Sequence, residues 1–134
     1  MIFLDSSVLV SYEVDGDINH EKAVKLIREI AKGKFGEVFT SDYIFDETIT
    51  VTFVKAKSLS KAITVGNYIK DSTEVLKVDE SVFENAWELF KRQKGTKLSF
   101  TDCTTLNAME ERNISNIATF DEDFKKIKTV NVIG

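Results

Sequence analysis

Four carboxylates have surroundings that would let them act together on a metal ion. Asp5 follows the apolar run IFL, Glu47 lies within YIFDETITVTF, Asp102 lies within LSFTDCTTLNA, and Asp121 follows NIATF. No lysine, arginine or histidine is adjacent to any of the four in the sequence. Like charges that gather without cations repel one another, and a divalent metal ion is the usual partner that relieves the repulsion. These residue types therefore indicate metal-ion chemistry, provided that the fold brings the side chains together.

Each acid taken alone also has a structural explanation. Asp102 stands where a helix is predicted to begin, and a negative charge is favourable there. Asp121 suits a turn. Glu47 suits a solvated or paired position on a helix. Apolar neighbours at helical spacing nevertheless predict that Glu47 faces inward. Asp46, about 100° away around the helix, is then predicted to be solvated. Asp5 is the hardest to explain in this way, because an unpaired carboxylate at the end of a buried strand is costly.

Short apolar runs alternate with helical patterns along the chain. Strands are predicted at 2–4, 37–40, 74–78, 116–120 and 129–133, and helices at 6–12, 20–32, 42–57, 60–72, 80–93 and 100–112. This alternation predicts an α/β fold in one domain, 1–134, as a three-layer α/β/α sandwich with a central, mostly parallel sheet. Ser6, Ser41 and either Ser58 or Ser60 are the predicted N-caps of their helices. Ligands bind at the carboxyl ends of parallel strands, so we expect Asp5 and Asp121 to border one site.

The residues most often used for acid–base and nucleophilic catalysis are nearly absent. The chain of 134 residues contains one cysteine, Cys103, and one histidine, His20. A disulfide within the chain, a zinc site with several cysteines and an acid–base pair of histidines are therefore excluded. A Ser-His-Asp triad would have to use His20, which lies in the polar stretch DGDINHEK. A nucleophilic Cys103/His20 pair stays open as a weak alternative.

The composition is that of a folded domain with an acidic balance. Hydrophobic residues make up 43% of the chain and charged residues 30%, and the net charge is −4. A protein that holds nucleic acid by charge alone is usually basic, but metal ions bound by the acids would reverse the local field. No apolar run approaches the roughly 20 residues that span a bilayer, and no signal peptide is recognisable. We therefore expect a cytoplasmic protein without a membrane partner.

Four short motifs follow one another in a recognisable order and spacing. They are Asp5-Ser6-Ser7 after the first strand, Glu47 inside the third helix, Ser99-Phe100-Thr101-Asp102 opening a later helix, and Thr119-Phe120-Asp121-Glu122-Asp123-Phe124 near the end. In this pattern the chain resembles the PIN domain, and in size and layout it resembles the single-domain ribonuclease toxins of the VapBC toxin–antitoxin type. The resemblance covers essentially the whole chain. It departs where many members carry a proline before the helix of Glu47, since this chain has SDYIFDE there.

The resemblance implies a metal-dependent endoribonuclease that hydrolyses RNA phosphodiester bonds with Mg²⁺ or Mn²⁺. The catalytic and metal-holding residues would then be Asp5, Glu47, Asp102 and Asp121, with Asp123 as a supporting or water-mediated ligand. Ser6, Ser99 and Thr119 would hold carboxylates or the scissile phosphate by hydrogen bonds, or would serve only as caps.

The resemblance also implies partners. These are an RNA substrate, a second copy in a homodimer, and a small antitoxin whose peptide covers the acidic groove. Ile63, Val65 and Tyr68 are candidates for that protein interface, although each also suits the core. The basic segment KRQKGTK supplies candidate RNA contacts in Lys91, Arg92, Lys94 and Lys97. The same cations also suit a solvated helix end, where they complement the helix dipole.

Three other interpretations use the same sequence features. A catalytically inactive PIN-like module would bind RNA or protein without cleaving, although the presence of all four acids argues against it. A receiver-like phosphoacceptor domain would use Asp79 and Lys128, but it leaves Glu47 without a role. A haloacid-dehalogenase-type phosphatase needs a second acid where Ser7 stands. We therefore expect the metal-dependent nuclease.

Overall fold

Five short strands form one parallel sheet in the order β3-β2-β1-β4-β5. In the computed structural model, which describes residues 1–134, the strands are Ile2–Leu4 (β1), Val38–Ser41 (β2), Glu74–Leu76 (β3), Asn116–Ala118 (β4) and Asn131–Ile133 (β5). Every neighbouring pair is parallel. The predicted α/β/α sandwich around a mostly parallel sheet is confirmed, and no strand is antiparallel.

Six helices and one 3₁₀ helix connect the strands. They are Ser6–Glu13 (α1), His20–Ala31 (α2), Asp42–Ala56 (α3), Leu59–Ser72 (α4), Glu80–Arg92 (α5) and Phe100–Glu111 (α6), with the 3₁₀ helix at Glu122–Lys126. All six α-helices lie within a few residues of their predicted bounds, whereas the 3₁₀ helix was not predicted. No helix combines the length and apolar character that crossing a membrane would require.

Side-chain oxygens cap four of the six α-helices. Ser41, Ser58, Asp79 and Ser99 each accept a hydrogen bond from a backbone N–H of the first turn. The prediction for Ser41 is confirmed, and Ser58 rather than Ser60 caps α4. The prediction that Ser6 caps α1 is wrong, because Asp5 occupies the N-cap position and Ser6 lies inside the helix.

The sheet is covered on both faces, so its central strand is entirely apolar. Ile2, Phe3 and Leu4 of β1 have no exposed surface. Helix α5 buries Val82 and Ala86 against the rest of the fold. Three aromatic residues on α5 stay partly exposed, namely Phe83, Trp87 and Phe90.

The strand order creates a crevice at the end of β1. From β1 the chain moves outward through β2 and β3, then returns to the other side of β1 for β4 and β5. The order therefore reverses between β1 and β4, and the connections leave their carboxyl ends in opposite directions. Leu4 pairs with Ala118 in the register of these strands. The next residues, Asp5 and Thr119, consequently emerge side by side.

Candidate active site

Asp5 is a buried carboxylate held by two hydroxyl groups. Its side chain is 4% exposed. Oδ2 accepts hydrogen bonds from Thr119 Oγ1 at 2.7 Å and from Ser7 Oγ at 2.8 Å. Burial raises the pKa of Asp5, and the charge of Glu47 adds to the rise, while the bonds from Thr119 and Ser7 act in the opposite direction. The hydroxyl groups thus only partly compensate for the cost of a charge at this strand end.

Glu47 reaches the same region from α3. Ser6 Oγ donates a hydrogen bond of 2.7 Å to Glu47 Oε2. The side chain is half-buried, whereas the neighbouring Asp46 is exposed. The prediction that Glu47 faces inward and Asp46 is solvated is therefore confirmed.

Asp121 begins the 3₁₀ helix that follows β4. Its Oδ1 accepts the N–H of Asp123 at 2.9 Å, and its own N–H donates to Thr119 Oγ1 at 3.0 Å. The N–H of Phe120 donates to Ser7 Oγ at 3.0 Å. Thr119 and Ser7 therefore hold both Asp5 and the backbone that carries Asp121.

Asp123 differs from the other acids because it forms an ion pair with a lysine side chain. Lys126 Nζ lies 2.9 Å from Asp123 Oδ1. That hydrogen bond lowers the pKa of Asp123, with further help from the charge of Lys126 and from the backbone of Lys97. Its charge is thus partly satisfied within the 3₁₀ helix, which suits a supporting position better than a central one.

Asp102 completes a capping box at the start of α6. Its N–H donates to Ser99 Oγ at 3.0 Å, and its Oδ2 accepts the N–H of Ser99 at 2.9 Å. Burial raises the pKa of Asp102 to about 6, and the charges of Asp5 and Asp121 contribute to the rise. Asp102 therefore has the predicted structural role at the start of a helix. The same carboxylate also interacts electrostatically with two of the other candidate acids.

The four acids lack any cation of the protein. None of Asp5, Glu47, Asp102 and Asp121 takes part in an ion pair. Their oxygens are the donors that Mg²⁺ and Mn²⁺ prefer. No three acidic, histidine or cysteine side chains lie close enough to form a ready-made metal cage. A cation held by these oxygens would therefore have to keep several of its waters.

Ser7 is the residue of this site that the sequence analysis did not assign. Its hydroxyl donates to Asp5 and accepts from the backbone of Phe120, so it joins the start of α1 to the loop after β4. The only signal in the sequence was its place in the motif Asp5-Ser6-Ser7. A hydroxyl two residues after a buried acid does not reveal a contact across 113 residues.

The Cys103/His20 alternative finds no support in the structure. Cys103 is fully buried. Burial raises the pKa of its thiol to about 11, and the charge of Asp102 adds to the rise. A nucleophilic cysteine needs a lowered pKa. His20 Nδ1 lies 2.8 Å from the carbonyl oxygen of Ser11, which ties the start of α2 to α1.

Some side chains of the basic segment and of the predicted interface already contact other residues, and the others are exposed. Lys91 pairs with Glu88 at 2.8 Å and lies over the ring of Trp87. Arg92, Lys94 and Lys97 are exposed and form no ion pair.

Val65 is 1% exposed and belongs to the core, and Tyr68 stacks on Tyr12, whereas Ile63 is 52% exposed. Of the three interface candidates, only Ile63 presents a largely free surface.

Comparison with known sequences identifies a family and a relative of known type. The family model of the PIN domain matches residues 2–130. A VapC ribonuclease from Archaeoglobus fulgidus is 25% identical over 123 residues, which is 90% of this chain and 77% of that protein.

Solved structures share the fold. VapC20 of Mycobacterium tuberculosis, described as a sarcin–ricin loop cleaving toxin, superposes with a TM-score of 0.84 and 27% identity, over 96% of this chain and 95% of that chain. VapBC2 of Rickettsia felis, solved with a DNA fragment from its promoter, gives a TM-score of 0.69 and 16% identity, over 99% of this chain and 98% of that chain. At 16% identity the second likeness shows the fold alone.

Proposed function

Since the chain belongs to the PIN domain family, we propose that it is a metal-dependent endoribonuclease and the toxin of a toxin–antitoxin pair. The observation that carries the proposal is the buried carboxylate of Asp5, which forms no ion pair and interacts electrostatically with Glu47 of α3 and Asp102 of α6. The likeness to a VapC ribonuclease and to a toxin that cleaves the sarcin–ricin loop supports RNA as the substrate.

The proposed metal site consists of Asp5, Glu47, Asp102 and Asp121, with Asp123 in a supporting position. One or two Mg²⁺ or Mn²⁺ ions at such a site would supply a bound water of lowered pKa and stabilise charge on the leaving 3′-oxygen. The expected products carry 5′-phosphate and 3′-hydroxyl ends. This scheme needs no histidine base, which agrees with the single His20 and its contact with Ser11.

The protein's own contribution is to hold the acids in place before substrate arrives. The hydroxyl of Ser6 donates a hydrogen bond to one oxygen of Glu47. Backbone N–H groups do the same elsewhere, that of Ser99 to Asp102 and that of Asp123 to Asp121. In each case the second carboxylate oxygen makes no hydrogen bond and is available to a cation. Hydrogen bonds of this kind orient ligands and raise metal affinity.

The basic segment after α5 is a proposed contact for the RNA backbone. Lys91 is already engaged by Glu88, so the proposal rests on Arg92, Lys94 and Lys97. Of the three, Lys97 interacts with a residue of the proposed site, because its backbone and its charge both lower the pKa of Asp123. Phosphate contacts of this kind position a nucleic acid without reading its sequence.

A protein partner is a second part of the proposal. We propose that a small antitoxin covers the acidic groove and an apolar surface on α3 and α4, and that the chain acts as a homodimer in the cytoplasm. Large apolar side chains are exposed on those helices at Phe53, Val54, Leu59 and Ile63. An exposed apolar patch on a small protein marks an interaction site.

Cleavage of end-labelled single-stranded RNA tests the proposed activity. Purified protein is incubated with Mg²⁺ or Mn²⁺, with EDTA, and as the Asp102→Asn variant. Glu110→Gln is a matched control, because Glu110 is an exposed acid of the same helix that forms no ion pair. We expect EDTA and Asp102→Asn to abolish cleavage and Glu110→Gln to retain it. Absence of cleavage by the unaltered protein with either metal would contradict the proposal and favour an inactive interaction module.

A further inference from the structure

An open cleft leads away from the acidic site between α1 and α3. Its lining includes two of the candidate acids, Glu47 and Asp121, and the apolar residues Val10 and Val51. The loop between α1 and α2 contributes Asp17, Ile18 and Asn19 to the lining. A polymer bound at the acids can therefore continue along this cleft.

Lys55 is the one basic residue among those that line the cleft. It stands two turns after Glu47 on α3, and Val51 lies between them, so the three side chains form one wall at i, i+4 and i+8. At 1.5 Å per residue, Lys55 is about 12 Å further along the helix than Glu47. Along α3, the cleft thus has a negative charge at Glu47 and a positive charge two turns further on at Lys55.

Lys55 is not neutralised by the acids that share its cleft. Its side chain is exposed and forms no hydrogen bond or ion pair, although Asp17, Glu47 and Asp121 line the same space. Lysines nearby behave differently. Lys61 lies 3.3 Å from Asp15, and Lys126 lies 2.9 Å from Asp123. An unpaired ammonium group beside an acidic cleft is available to an anion that enters from solution.

We infer that Lys55 binds a phosphate of the RNA backbone outside the scissile one and sets the direction in which the strand leaves the acidic site. This inference rests on the proposed function, since it names a substrate contact of the same site. The strand places the scissile phosphate at the acids and a further phosphate at Lys55, with the stretch of chain between them against Val51. Metal ions held by the acids would attract the scissile phosphate and the ammonium group attracts a second one, so the two positive charges favour one path across the surface.

Salt dependence of RNA binding tests this assignment. A fluorescein-labelled single-stranded RNA is titrated with protein over a KCl series, in EDTA and with Asp102→Asn in every sample so that no cleavage occurs. One lost phosphate contact lowers the slope of log K against log salt by about 0.7 for a single strand. We expect that decrease for Lys55→Ala and no change for Lys55→Arg. Lys22→Ala is the matched control, because Lys22 is an exposed helical lysine without an ion pair.

A purely structural role for Lys55 gives a different result. Lys55 lies in the last turn of α3, where a cation complements the helix dipole. In that case Lys55→Ala lowers the thermal stability slightly and leaves the salt slope equal to that of Lys22→Ala, which would overturn the inference.

Cleavage kinetics separate failure of this inference from failure of the proposed function. With metal and without the Asp102→Asn substitution, we expect Lys55→Ala to raise KM several-fold with little change in kcat, and Lys55→Glu to raise it further. Cleavage by the unaltered protein together with unchanged KM in both variants would overturn the role of Lys55 and leave the nuclease assignment intact. Absence of metal-dependent cleavage by the unaltered protein would overturn the nuclease assignment itself.

Discussion

Ser6 on α1 donates a hydrogen bond of 2.7 Å to Glu47 on α3, across 41 residues of sequence. The bond joins the first helix after β1 to the helix that follows β2. It also fixes one oxygen of Glu47 within the electrostatic reach of Asp5, whose pKa the Glu47 charge raises. The hydroxyl that would ordinarily cap a helix is thus used to position an acid.

We expect Ser6→Ala to weaken Mn²⁺ binding by about 10- to 100-fold, the usual effect of removing a hydrogen bond to a ligand. The free energy of unfolding should fall by only about 1 kcal/mol, because one partly buried hydrogen bond is lost. Titration calorimetry with Mn²⁺ and urea unfolding measure the two effects. Ser72→Ala, at an exposed serine of α4, serves as the control. Equal Mn²⁺ affinity in the two variants would show that Ser6 does not position Glu47.

We expect Thr119→Val to destabilise the protein more at pH 8 than at pH 5. The hydroxyl of Thr119 donates a hydrogen bond to Asp5 Oδ2 and thereby lowers the pKa of Asp5. Loss of this hydroxyl removes a bond that stabilises the charged carboxylate, so the pKa of Asp5 rises further. At pH 8 the loss should be about 1–3 kcal/mol, the cost of leaving a buried polar group poorly satisfied. Urea unfolding in EDTA at both pH values measures it. A loss no greater at pH 8 than at pH 5 would contradict the role of Thr119 as a donor to an ionised Asp5.

The raised pKa of Asp102, about 6, predicts how stability depends on pH in the absence of metal. Between about pH 4 and pH 6 the folded protein holds this proton more tightly than the unfolded chain, so stability falls as the pH rises through that window. The loss should be about 1–2 kcal/mol once contact with solvent is allowed for. Asp102→Asn should remove this part of the pH dependence in EDTA. An unchanged pH profile in that variant would assign the proton to another group.

The same titration predicts competition between protons and metal. A carboxylate must be ionised to bind a cation, so Mn²⁺ affinity should rise with pH through about 6, where Asp102 loses its proton. Calorimetric titrations at pH 5, 6, 7 and 8 measure the trend. Affinity that stays constant across this range would exclude Asp102 from the metal site.

Cys103 should be inert in the folded protein. Its side chain has no exposed surface, and burial raises the pKa of the thiol to about 11. We expect no reaction with Ellman's reagent at pH 8 until urea unfolds the chain. Rapid reaction under native conditions would show that the contacts around α6 open readily, and it would reopen nucleophilic roles for this residue.

The parts of the fold that the sequence revealed are those set by local patterns. The apolar run before Asp5, the alternation of strands and helices, and the inward direction of Glu47 all depend on residues close together in the chain. Parallel strands then bring their carboxyl ends to one edge by geometry alone. For these reasons the location of Asp5 beside the strand that precedes Asp121 was predictable.

The remaining features depend on contacts between distant segments. Ser6 has the residue type and place of a helix cap, and only the approach of α3 shows that its hydroxyl is used by Glu47. Ser7 contacts the backbone of Phe120 for the same kind of reason. Lys55 appears as an ordinary exposed lysine until the packing of α1 against α3 shows that it lines the cleft. No periodicity in the sequence records such contacts.

The most direct test of the proposed metal site is a comparison of two neighbouring acids on α3. Mn²⁺ binding is measured by titration calorimetry at pH 8 for the unaltered protein, Glu47→Gln and Asp46→Asn. Both substitutions remove one negative charge, but Glu47 bonds to Ser6 beside the other acids whereas Asp46 is exposed. We predict that Glu47→Gln loses at least about 10-fold in affinity and that Asp46→Asn binds like the unaltered protein. Equal affinity in all three proteins, or no Mn²⁺ binding by the unaltered protein, would contradict the account.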